Sequence, residues 1–176
     1  MALTIIATAG AIDANSYVTE AEYYAYMETK LYATTFLALS EDDKKKVAIE
    51  SARMIDIYFK FYGTRTNLSP MQALAFPRTN VFGIGGLLID STTIPQNMKN
   101  AQCEQMVYFA TTNPLSPIYN KYDKVTIGKG AVKVEYNKDL SYKIINSIVT
   151  DMLRMYGSVL SNADNARAYS LHLNRS

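Results

Sequence analysis

The sequence predicts a mainly α fold: a small bundle of about four helices with one inserted β-hairpin and extended arms at both ends. Two observations lead to it. Apolar residues recur at helical spacing within 20–31, 41–62, 95–111 and 142–156, while strict alternation is confined to 124–136. The prolines and most glycines fall between these segments or, like Pro95, at a start. Residues 1–160 read as a single helical domain with a hairpin at about 123–137, and 161–176 as a C-terminal extension.

The chain has 176 residues, 48% of them apolar, enough to bury a core. Lys plus Arg number 18 against 16 Asp plus Glu, so the overall positive excess of a dedicated DNA binder is missing, although a local basic face is compatible with these totals. The one cysteine, Cys103, can form no intramolecular disulfide, which points to assembly in a reducing cytoplasm. Leu3 to Ala14 and Val81 to Ile89 are too short or too Gly-rich to span a bilayer, and no basic stretch at the start suggests a secretory signal. There are 14 Tyr and no Trp, with only 19% charged residues. Tyr fills half-buried helix positions and is also enriched at interfaces; with so little charge the composition favours an oligomer.

Leu3 to Ala7 reads as a short strand of an N-terminal arm. Thr19 and Glu22 form a capping box, starting a helix whose stripe is Tyr23, Met27 and Leu31 and which ends near Leu31. Ser40 caps the next helix, and Glu41, Asp42 and Asp43 suit the positive end of its dipole. Val47, Ser51, Met54, Ile55, Tyr58 and Tyr62 give this helix one face, so it is expected to be central and to end before Gly63. Lys44 to Lys46, directly after three acids, read as a solvated face.

Ser69 and Pro70 predict a short helix through Ala75, stopped by Pro77. The loop from Thr79 to Thr93 holds GIGG, which lacks the strand and helix that phosphate binding needs, and reads as a mobile or partner-contacting loop. Pro95 starts a helix to about Thr111 with the stripe Met98, Ala101, Gln102, Gln105, Met106 and Phe109, inside which Cys103 is a packed thiol. Lys124 to Ile127 and Ala131 to Tyr136 alternate around Gly128 and Gly130 as a hairpin. Its Lys124, Lys129 and Lys133 suit either protection of a sheet edge or contact with a nucleic-acid backbone. Ile144, Ile145, Ile148, Met152 and Met155 define a last helix over Tyr142 to Tyr156, broken at Gly157. The polar tail carries Arg167, Tyr169, Leu171, Leu173 and Arg175, which either stay disordered or dock on a partner.

No catalytic constellation emerges. His172 is the only histidine and lies in the tail, metal sites rich in His or Cys are excluded by counting, and the carboxylates show no paired spacing. A non-enzymatic protein without cofactor is expected. Aromatic and basic residues at Tyr58, Phe59, Lys60, Phe61 and Tyr62 suggest a stacking platform, but helical spacing would spread them around the axis and bury most.

The order IDANSYVTEAEYYAYM, LSEDDKKKVAIESARMID, SPMQALAFPRTNV, IPQNMKNAQCEQ and VKVEYNKDLS resembles a tailed-phage family of head-tail adaptor, or head-completion, proteins. Members often carry the label DnaT-like single-stranded-DNA-binding protein. The resemblance covers most of Asp13 to Tyr156; NSYVT, QALAFPR, and IP followed by Ala101 to Glu104 are its most specific parts, and Phe76 stands where members commonly have Trp. It implies a dodecameric ring at the virion neck, made in the bacterial cytoplasm, joining the portal protein to a tail or nozzle protein. DNA would pass through its lumen with weak phosphate contact during packaging and ejection.

Within that frame the tail residues Arg167, Tyr169, Leu171, Leu173 and Arg175 are expected to dock on the portal. Phe82, Ile84, Leu87 and Leu88 are expected to meet a neighbouring subunit or the tail, and Lys124, Lys129 and Lys133 the DNA backbone. The alternative is a single-stranded-DNA-binding protein acting in replication.

Overall fold

The computed structural model describes residues 3–113, 124–128, 131–135 and 144–160. Five helices appear among them: α1 (Glu20–Glu28), α2 (Thr34–Leu37), α3 (Glu41–Tyr58), α4 (Gln96–Thr111) and α5 (Ser147–Leu153). Six short strands, β1 (Phe59–Phe61), β2 (Thr64–Arg65), β3 (Arg78–Thr79), β4 (Lys124–Gly128), β5 (Ala131–Glu135) and β6 (Gly157–Val159), pair antiparallel as β1–β6, β2–β3 and β4–β5. The fold is mainly α, as the periodicity predicts, and the expected hairpin is present as β4–β5.

The helix starts follow their capping chemistry. Thr19 accepts from the Glu22 amide while the Glu22 carboxylate accepts from the Thr19 amide, and Ser40 accepts from the Asp43 amide. The central helix, however, is α4 and not α3. It packs against α1, α2, α3 and α5 and buries Met98, Ala101, Gln102, Cys103, Glu104, Gln105 and Met106. One core cluster joins Ile55, Phe59, Phe61, Phe76, Met98, Val149 and Leu153; the other joins Tyr23, Met27, Phe36, Ala48, Cys103 and Met106. The first half of α3 serves the second cluster and its last turns serve the first.

Several expectations are corrected. Leu3 to Ala7 forms no strand; the Ile6 amide donates to Asn15 Oδ1 at 2.8 Å instead of to a neighbouring strand. Helix α1 stops at Glu28, so Leu31 leaves the stripe and stands 79% exposed. Helix α3 ends at Tyr58 because Phe59 and Phe61 are both buried with Lys60 exposed between them, a period of two that suits a strand pairing with β6. That partner lies beyond Gly157, where the sequence predicts only a helix stop. The last helix runs from Ser147 to Leu153, capped by Asn146, so Ile144, Ile145 and Met155 fall outside it, and Tyr142 lies outside the described residues.

Residues 69–75 are not helical. Their backbone groups are taken by distant partners: the Ala73 amide by the Ala11 carbonyl at 3.0 Å and the Ala75 amide by Asp56 at 2.8 Å. Nor is Lys44 solvated. Its side chain is buried, donating to Glu41 at 2.8 Å and to the Tyr24 hydroxyl at 3.3 Å, while Lys46 is exposed as expected.

Three buried amides tie these loops to the helices. Gln102 Oε1 accepts from the Tyr17 amide at 2.7 Å, and its Nε2 donates to Ser16 Oγ and the Ala48 carbonyl. Gln105 accepts from the Asn146 amide and donates to the Ile144 carbonyl. Gln72 accepts from the Asn67 amide and donates to the carbonyls of Leu74 and Pro77. Each fills the hydrogen-bonding demand of chain that has no regular structure of its own.

Candidate functional site

The first exposed feature is the excursion from Val81 to Ile89. The Ile89 amide bonds the Val81 carbonyl at 2.9 Å, the Gly83 amide bonds the Leu87 carbonyl at 2.8 Å, and Phe82 faces Leu88 across an antiparallel bridge. Gly85 and Gly86 both adopt φ near +75°, which glycine tolerates without strain. Phe82 is 57% exposed, Leu87 74% and Leu88 63%. Three expected contact residues are thus gathered on one hydrogen-bonded apolar tip. Ile84 lies in its 3-10 turn, with a side chain outside the described atoms.

The second feature is a cleft of about 370 Å³ lined by Asp56, Phe59, Phe61, Leu68, Ala75 and the two arginines Arg65 and Arg78. Strands β2 and β3 hold the arginines side by side, with Arg65 opposite Arg78. Arg78 spends its guanidinium on the carbonyls of Phe61, Tyr62, Gly63 and Ala75, so its charge fixes local backbone and makes no ion pair among the described residues. Arg65 touches only Met71 Sδ, at 3.5 Å, and makes no ion pair among the described residues. Burial lifts the Asp56 carboxyl to about 6, against the hydrogen bonds from Tyr17 and Ala75 and the charges of both arginines. Burial also lowers the Arg78 guanidinium from its usual range, helped by Arg65. The cleft is a positively charged, apolar-walled recess.

The third feature is the turn after α1. Glu28 is exposed with no ion pair among the described residues, and Leu31 and Tyr32 project at 79% and 77% exposure. Their neighbours hold the turn down: Lys30 pairs with the buried Glu104, and Ala33 is buried. The sequence reading missed this turn because Leu31 falls at the correct spacing for the stripe. It missed the cleft because Asp56, Arg65 and Arg78 are far apart in sequence and share no motif.

The remaining expected sites fall partly outside the description. Lys124 and Lys133 lie on the hairpin strands, paired in register with Glu135 and Thr126, with side chains outside the described atoms. Lys129, Arg167, Tyr169, Leu171, Leu173 and Arg175 lie outside the described residues. Of the residues weighed as an aromatic platform, Phe59 and Phe61 are buried, as expected for most of them, while Tyr62 is 54% exposed. Cys103 is 2% exposed, and burial first, then Glu104, pushes its thiol up to about 12. Among the described residues no three His, Cys, Asp or Glu side chains form a metal-binding group, and no helix is long and apolar enough to cross a membrane.

Fold and surface together define a small mainly α protein whose described features are apolar projections and a basic recess. It belongs to the family described as "Putative DnaT-like ssDNA binding protein", whose model matches residues 1–176. No curated protein and no solved structure matches the chain.

Proposed function

We propose that the protein is a structural virion component, a head-tail adaptor that forms a dodecameric ring between the portal and the tail of a tailed phage. The observation that carries this reading is the apolar tip of Phe82, Leu87 and Leu88, held out by backbone hydrogen bonds where a monomer gains nothing from it. A ring in which each subunit presents two different faces gives such a projection a partner. In this reading the C-terminal residues Arg167, Tyr169, Leu171, Leu173 and Arg175 dock on the portal. The hairpin lysines Lys124, Lys129 and Lys133 contact passing DNA without reading its sequence, and the small excess of Lys and Arg over acids keeps that contact weak.

The decisive experiment is co-sedimentation with the portal protein under assembly conditions, followed by a map of the particle neck. Density for this chain between portal and tail is the expected result; failure to associate with portal would remove the adaptor reading. A second reading, single-stranded-DNA binding in replication, is favoured by the family's description. Fluorescence anisotropy separates the two: tight, salt-sensitive binding of oligonucleotides by the monomer would favour replication.

A further inference from the structure

The turn after α1 and the arginine cleft are complementary in both shape class and charge. One is a projection, Leu31 and Tyr32 flanked by the acid Glu28; the other is a recess walled by Phe59, Phe61 and Leu68 and flanked by the base Arg65, and neither Glu28 nor Arg65 makes an ion pair among the described residues. They cannot meet within one copy. The turn follows α1, which is tied to the start of α3 through Tyr24, Glu41 and Lys44, whereas the cleft opens at the other end of α3, at Asp56 and Phe59. Eighteen residues of helix separate these ends by roughly 27 Å.

We propose that the Arg65 cleft receives the Glu28–Tyr32 turn of a second copy of this chain, so that copies join head to tail. Leu31 and Tyr32 cover the apolar wall, and the Glu28 carboxylate meets the Arg65 guanidinium at its edge. Two unlike surfaces at opposite ends of a subunit make a heterologous contact, which closes into a ring when the rotation per subunit allows it. The inference rests on the ring reading above and names the contact that builds the ring. Its acid and base come from one chain, so a charge reversal on one side is repairable on the other.

The test is sedimentation velocity of the full chain over a concentration series. Glu28→Arg and Arg65→Glu, each alone, should weaken self-association by at least roughly tenfold, and an equimolar mixture of the two variants should restore it. Circular dichroism confirms that each variant remains folded. A covalent arm uses Leu31→Cys with Leu68→Cys, the native Cys103 being buried. The double variant should give a ladder of multimers on mild oxidation, and either single variant no more than a dimer. Multimers that ignore both charge reversals would overturn this contact and leave the ring reading standing. A wild-type chain that stays monomeric, together with a double cysteine variant that gives no ladder, would overturn the contact alone if the wild type still sediments with portal; without portal association both readings fall. Oligonucleotide binding lost in Arg65→Glu with the multimer unchanged would assign the cleft to a phosphate and overturn the proposal.

Discussion

The Tyr17 hydroxyl donates to the Asp56 carboxylate, joining the N-terminal arm to the end of α3. The Ala75 amide reaches the same pair, at 3.1 Å from the Tyr17 hydroxyl and 2.8 Å from Asp56 Oδ2, so three distant stretches of chain converge on one buried acid. Because the Asp56 carboxyl titrates near 6 in the fold, against an ordinary value of 3.8, the folded state keeps a proton that the unfolded chain gives up between those values. Stability from this group therefore falls as pH rises from about 4 to 6. Asp56→Asn removes the charge and keeps one oxygen to accept from the Ala75 amide, while its Nδ2 donates to a Tyr17 hydroxyl that must turn to accept it. It is expected to exceed the wild type by about 3 kcal/mol at pH 7, with the difference vanishing below about pH 3. Urea unfolding of both proteins at the two pH values checks this, and subtraction cancels the acids whose values are lowered.

Gln102 has a larger predicted effect. Replacing it by Leu leaves the Tyr17 amide, the Ser16 hydroxyl and the Ala48 carbonyl buried without that partner. A loss of about 3 kcal/mol or more is expected in a denaturant titration, with the N-terminal arm becoming sensitive to protease. A small change with an intact arm would mean that water replaces the amide.

Gly157 is required by approach rather than by backbone twist. A Cβ built there would lie 2.5 Å from the Lys60 carbonyl oxygen and 2.9 Å from Phe61 Cα, both backbone atoms that cannot rotate away. Gly157→Ala should separate β6 from β1 and lower stability by about 1–3 kcal/mol. Hydrogen exchange at the Tyr62 and Leu160 amides, which bond the Tyr156 and Tyr58 carbonyls, reports the separation directly.

The apolar tip should behave in the opposite way. Leu87→Asp and Leu88→Asp, at positions already exposed, are expected to change the unfolding midpoint little while abolishing association with a neighbouring subunit or the tail protein. Pull-down with the tail protein, paired with a thermal melt, separates lost contact from lost fold.

Helix α4 was legible because Met98, Ala101 and Met106 repeat at helical spacing behind Pro95 and meet a core around them. The strand at Phe59 was not, since its apolar residues continue the pattern of α3 until pairing with β6, nearly a hundred residues away, decides the conformation. The segment QALAFPR carried the right signals for a helix, Pro70 near its start and Pro77 at its end. What overrides them is the buried side-chain acceptors of Gln72 and Asp56, which local propensity does not register. The arginine cleft was hidden for a related reason: Arg65 and Arg78 gain their meaning from β2–β3 pairing. The exposure of Phe82, Leu87 and Leu88 was legible because apolar side chains among glycines have little core to join.

Cys103 supplies a timer for the opening of this fold. It is the chain's single cysteine, it packs in the second core cluster, and it borders the groove between α1 and α4. With its thiol near 12, only about one molecule in ten thousand holds a thiolate at pH 8, and burial screens even that fraction from reagent. Alkylation of the unmodified protein therefore waits on opening of the core around Cys103, and where reagent outpaces reclosing its rate is the rate of that opening.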